Sequence, residues 1–332
     1  MRRRQPAFGI VGAPVESADA AAHGFVPRDR LRLDSDGPDP ALDACTEAAR
    51  RGDWRSVAAA LPPVGGDPDR YHRMVCGVAE LAVNDDAWLT AWLDGAPDDP
   101  GAWSVHARAM VRLAWQLRSG ALAKDLLPEQ WAGFHRVLGQ APAACARATS
   151  LAADLATPWI ELLACARGLS WDHDRFRDTW AQVVARAPRS VPAHITALQY
   201  WLPRWSGSTE LAEGFVADTL ARATPGTLLT GVRLEYLFQE RGPSFPGGEL
   251  AEAIDAALAD LAAAPADHPY RTRHRHWLAY FLTKAGRYAE AVEQFRAVDG
   301  YVGARPWDVY GDPAGVFSTT RAEALLGWQR AS

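Results

Sequence analysis

Nowhere along this chain do Val, Ile and Thr gather into an alternating apolar and polar run long enough to suggest a strand. Alanine-rich runs stand in their place, such as "VAAAL" at 57–61 and "AEAIDAALADLAAA" at 251–264, and alanine is the strongest helix former. From Asp39 onward the pattern predicts helices of roughly 10–20 residues separated by short Gly, Pro and Asp punctuation. Helix starts are expected at Asp85, at the Asp98–Asp99–Pro100 run, at Thr157–Pro158, at Ser190 with Pro192, at Ser208 and at Pro269. Gly52, Gly120, Gly168 and Gly286 are the expected stops. Two longer helices are expected at 102–118 and 128–150. The chain reads as all-α.

Residues 1–37 carry Gly, Pro and charge without a helical period and run into "DSDGPDP", so they read as a flexible N-terminal arm. Residues 38–312 read as a helical-repeat array, and 313–332 as a C-terminal capping helix. Three prolines mark a period within the array: Pro158, Pro192 and Pro225 are 34 and 33 residues apart. That is the spacing of helix-turn-helix repeats. One hairpin of this kind cannot cover both of its apolar faces, so successive units are expected to stack and share a core.

The stretch "RTRHRHWLAYFLTKAGRYAEAVEQF", residues 271–295, resembles a tetratricopeptide repeat. Leu278 and Ala279 fall in its first helix and Gly286 at its turn. Tyr288, Ala291, Phe295 and Val298 follow at the spacing of the second helix. Leu163, Ala164, Trp180, Val183 and Pro188 form a second, partial match, with Phe176 where the family has a small residue. "ACTEAARRGDWRSVAAAL", at 44–61, gives a third fragment. The resemblance implies a right-handed α-solenoid of stacked antiparallel helix hairpins. "LQYWLPRWSGSTEL", at 198–211, is similar to a segment of bacterial helical-repeat proteins, which implies architecture and no activity.

In tetratricopeptide arrays the first helix of each unit lines a concave groove that receives a peptide. The resemblance therefore makes Arg273, His276, Trp277, Tyr280, Thr283 and Lys284 groove positions. Arg273, Trp277, Tyr280 and Lys284 also share one helical face by their spacing. Two cations and two aromatics on one face suit an acidic or C-terminal segment. The expected function is a non-enzymatic scaffold that binds a protein or peptide. The alternative is an all-helical enzyme or enzyme subunit whose site is assembled only in the fold, from His106, Asp172, His194 and His276.

Composition narrows the partners. The net charge of −5 gives no general attraction to nucleic acid or an anionic membrane. No stretch approaches the roughly 18 apolar residues of a membrane span. Apolar residues make up 48% of the chain and Trp occurs 14 times, enough for an extensive core. The basic start "MRRR" is followed by an apolar segment broken at Pro6, Gly9, Gly12 and Pro14, so a cytoplasmic location is expected rather than export. Cys45, Cys76, Cys145 and Cys165 form no CxxC pair and read as reduced thiols.

Little catalytic chemistry stands out. His274 and His276 point roughly 200° apart on a helix and cannot share one metal. His72, Cys76 and Glu80 do share a helix face, but no partner motif completes a four-ligand site. Asp172, His173 and Asp174 read as a helix cap, Ser206 and Ser208 as a hinge with Ser208 as N-cap, and Trp88 with Trp92 as core. "PVGG" and "FPGG" lack the lysine or flanking strand of a phosphate-binding loop. No catalytic residue, metal or cofactor is expected.

Overall fold

Side-chain oxygens set many of the helix starts. In the computed structural model the Asp39, Asp53, Asp67, Asp172 and Ser190 side chains each accept a hydrogen bond from a backbone N–H of the first turn they precede. Pro at the first or second helical position reinforces several of these starts, because its missing N–H would have no partner there. The structure describes residues 17–63, 66–118, 127–241 and 247–331. Residues 1–16 of the expected arm, Gly65, Gly120, Lys124, Phe245, Pro246 and Ser332 lie outside them. Among the described residues the fold is all-α, and the one β-type pairing is an isolated bridge between Arg32 and Tyr301.

The helices, in chain order, begin with α1 (Ser17–Ala22), α2 (Pro40–Arg50), α3 (Trp54–Ala60), α4 (Pro68–Ala82), α5 (Ala87–Gly95) and α6 (Pro100–Arg118). There follow α7 (Pro128–Leu138), α8 (Ala141–Leu151), α9 (Thr157–Gly168), α10 (His173–Arg186), α11 (Val191–Trp201) and α12 (Thr209–Arg222). The last are α13 (Gly231–Arg241), α14 (Gly247–Ala263), α15 (Arg271–Lys284), α16 (Tyr288–Ala297) and α17 (Pro313–Ala331). The expected helix over 128–150 is in fact two, α7 and α8. Pro142 cannot donate to the preceding turn, so the chain restarts after Gly139 and Gln140. Of the three periodic prolines, Pro158 and Pro192 open α9 and α11, while Pro225 sits in the turn ahead of α13.

Packing divides the chain into two units, Asp39–Thr219 and the residues up to Pro38 together with those from Leu220 on. In the first unit α6 is the hub, touching α4, α7, α8 and α9, while α9 also packs on α10 and α11. Val57, Met74, Val75, Val78, Trp88, Leu89, Trp92 and Val105 share one core, with Trp54 stacked on Trp92. Phe176 finds room by lying flat on Tyr200 of α11, ring centroids 3.8 Å apart. After Trp201 the chain turns sharply through Gly207. A Cβ built there would fall 1.8 Å from the Trp201 carbonyl oxygen, so only glycine fits.

In the second unit α15 and α16 form a hairpin whose turn holds Gly286 at φ +73. Leu278, Ala279, Ala291 and Phe295 are wholly buried, and α17 packs against both helices. Residues 17–37, expected to belong to a flexible arm, are tied into this unit. Val26 N–H donates to Asp299 (2.7 Å), and the buried Arg321 guanidinium joins Asp299 to the Val26 carbonyl. Arg32 pairs backbone to backbone with residues 300 and 302. Buried carboxylate and guanidinium groups need partners, and this segment supplies them.

Gly207→Ala is expected to cost at least about 2 kcal/mol in a urea unfolding curve. Gly214→Ala, on the open face of α12 with nothing near its Cβ position, should stabilise by about 0.5–1 kcal/mol. Equal effects of the two would contradict the close turn at Gly207.

Candidate functional site

The expected groove positions lie on α15, and most of them are buried. His276 is fully enclosed, and Trp277, Tyr280 and Thr283 are nearly so. His276 Nδ1 accepts from the Trp307 indole N–H (2.9 Å), and Nε2 lies 3.0 Å from the Asp36 carbonyl oxygen. An indole can only donate and a carbonyl can only accept, so the imidazole is the neutral Nε2–H form. Trp277 packs edge-on to Phe238, and Tyr280 edge-on to Trp307. Tyr280 and Tyr310 also share a side-chain hydrogen bond, and burial pushes the Tyr280 pKa far above its ordinary value.

The two cations of that face are already engaged. Arg273, half exposed, pairs through Nε with the buried Asp36 carboxylate at 2.5 Å, and Lys284 with Glu323 at 2.7 Å. The face assigned to a groove is therefore closed by residues 36–37, Trp307 and Phe317. The physical reason is composition: an aromatic face with Arg at its edge attracts an internal carboxylate and rings from the same chain. In the structure these residues form a packed junction, not an open row of contacts.

The residues of the enzyme alternative each have a local task. His106 packs edge-on to Trp103, and burial lowers its pKa. Asp172 caps α10 through the Arg175 N–H (2.8 Å), a bond that lowers its pKa, and it is exposed. His194, buried, bonds back to the Ser190 carbonyl (2.7 Å) and meets Trp180 edge-on. His173, beside Asp172, contacts the Ser206 carbonyl at 2.7 Å. Ser208 accepts from the Leu211 N–H, as an N-cap does.

Two constellations in the first unit were not legible as sites. The first joins α4 to α9. His72 and Cys76 share a face of α4, Sγ lying 3.3 Å from Nε2, as their spacing implied. Their third neighbour is not Glu80, which makes a bidentate pair with Arg112 at 2.7 and 2.8 Å. It is Glu161, a carboxylate buried in an otherwise apolar turn of α9, and the three ligand atoms lie within 4.8 Å of one another. The one sequence signal was a glutamate inside "WIELLACA".

The second is a stack of indoles and guanidinium groups. Trp115 and Arg118 end α6, Trp131 lies on α7, Arg167 ends α9, and Trp205 follows α11. Arg118 lies 5.5, 5.8 and 5.2 Å from the ring centroids of Trp115, Trp131 and Trp205. Arg167 lies over two of the same rings, 4.2 Å from Trp115 and 5.1 Å from Trp205. Burial against these rings lowers the Arg118 pKa, and no carboxylate among the described residues pairs with it. All five side chains are half-buried, which leaves a basic, aromatic patch on the surface. Trp205 directly precedes the hinge at Ser206, and nothing in its spacing signals the contact with Trp115.

No protein-family model matches the chain, and no curated protein matches it. Among the described residues, no helix is long and apolar enough to cross a membrane.

The buried histidines give the second unit a pH dependence. Burial pushes both His274 and His276 down to about 4, against an unfolded value near 6.5. Their folded pKa is depressed, so the unfolded chain takes up protons first as pH falls. The stabilisation is complete above about 6.5 and lost toward 4, costing about 2 kcal/mol per histidine at pH 5. Urea midpoints measured at pH 7.5 and pH 5 should fall accordingly. His276→Gln should roughly halve the slope, and an unchanged slope would contradict the burial.

Proposed function

We propose that the chain is a non-enzymatic interaction scaffold that binds an acidic segment of a protein or peptide. Its helix hairpins are read as stacked in a right-handed tetratricopeptide-like array, working in the cytoplasm. The observation that carries the reading is the pair of guanidinium groups, Arg118 and Arg167, resting on Trp115 and Trp205. An arginine over an indole face can still turn an edge N–H toward an oxyanion, and the ring restrains its orientation. Two such cations side by side repel each other, and a bound carboxylate relieves that repulsion. Neighbouring indole surface would hold apolar side chains that flank the acidic residues.

This assignment keeps the chemistry expected for the α15 face, aromatics with cations, and moves it to a face that is partly exposed. Affinity on a half-exposed patch is expected to be modest and to fall with salt, since exposed charges are screened within about 8 Å at physiological ionic strength.

Fluorescein-labelled peptides that place three glutamates beside a leucine, and their glutamine counterparts, test the reading by anisotropy. The glutamate peptides should bind more tightly, with an affinity that falls as salt rises. Arg118→Gln should weaken them about tenfold, the scale of one charge-assisted hydrogen bond at a partly exposed site. Equal binding of acidic and neutral peptides, or no effect of Arg118→Gln, would refute the assignment.

A further inference from the structure

Glu161 poses a problem that the fold does not solve. Its side chain is 1% exposed, yet its Oε1 has no hydrogen-bond partner, and Oε2 has only a long 3.4 Å contact with Arg108 Nη1. A buried carboxylate in this condition is costly, and native structures seldom keep one without a reason. Across from it stand a ring nitrogen of His72 and the Cys76 thiol, contributed by consecutive turns of one rigid helix. The three other cysteines are deeply buried, and burial pushes each of their pKa values up, as for inert packing residues. Cys76 differs in being only partly buried.

We propose that His72, Cys76 and Glu161 bind a divalent ion of the zinc class, one nitrogen, one sulfur and one oxygen ligand with a fourth position open to water. Two ligands on a tetrahedral ion at about 2.0–2.3 Å stand about 3.3–3.8 Å apart. The Cys76–His72 separation of 3.3 Å is already in that range, and all three ligand atoms lie within 4.8 Å of one another. Closing the triangle onto an ion needs shifts on the order of 1 Å, within reach of side-chain rotation. The mixed donor set selects against magnesium and calcium, which take oxygen ligands, and favours a borderline-soft ion. Binding would replace the thiol proton with the metal and release that proton to water.

Arg108 is the evident objection, because it brings positive charge to the same carboxylate. Its Nη1 reaches only Oε2, at 3.4 Å, and Oε1 is left without a partner. Thiolate and carboxylate together neutralise a divalent ion, and because the thiol proton departs as the ion arrives, the cluster gains one positive charge rather than two.

Cobalt(II) is the probe, added to the full-length protein after chelator treatment. A thiolate ligand gives an intense near-ultraviolet charge-transfer band, and a tetrahedral site gives strong visible bands. One equivalent of cobalt should produce both, and zinc should displace it. Cys76→Ser should abolish the charge-transfer band, with circular dichroism confirming that the variant folds. Glu161→Gln should weaken cobalt binding more than tenfold while keeping the band at saturation, loss of a direct ligand being at least as severe as loss of an outer-shell partner. Wild type that shows no charge-transfer band overturns the proposal without reference to any variant. A band that survives Cys76→Ser places the metal on another cysteine and overturns it equally.

Discussion

His276 sits between an indole that can only donate and a carbonyl that can only accept, and the second unit is arranged around that requirement. Neither hydrogen bond is local. Asp36 arrives from before the first long helix and Trp307 from after the hairpin, so satisfying one buried imidazole brings three distant parts of the chain together. Once they meet, Asp36 also answers Arg273, and Trp307 packs against Tyr280, Phe295 and Phe317. A neutral histidine is therefore part of the packing, and its protonation would leave two donors facing one donor and one acceptor.

This closure decides which aromatic and basic residues reach the surface. Helix α15 carries the aromatic and basic residues that an open array would present, but the same chain covers them. The first unit leaves its comparable chemistry at the surface, where Arg118 and Arg167 rest on indoles from three separate segments. Both units thus use arginine against aromatic rings. In one the pairing is capped by an internal carboxylate, and in the other the rings and the Arg118 guanidinium remain half-exposed.

The helical character and the hairpins were legible because they depend on near neighbours in sequence. Gly286 at a left-handed turn, Ala291 at a close helix contact and Phe295 in the gap beyond are local requirements, and each residue satisfies its own. The break at Gly139–Pro142 was also visible in principle, since a proline in the second position of a helix reads as a start. What sequence could not give was the third dimension of polar clusters. The spacing of His72 and Cys76 was evident, but Glu161 joins them across 85 residues, and Glu80, the nearer candidate, turns to Arg112. Asp36 in a supposed arm carried no sign that it would be buried against α15.

The claim on which the rest turns is that the α15 face is interior. Diethyl pyrocarbonate labelling at pH 7, read by peptide mass spectrometry, tests it most directly, because the reagent modifies neutral imidazole that solvent can reach. His135, exposed on α7, serves as the internal standard. In the native protein His135 should be modified rapidly and His274 and His276 not at all, with all three reacting in urea. Modification of His276 at the rate of His135 would mean that the face is an open groove after all, and the junction of Asp36, His276 and Trp307 would have to be abandoned.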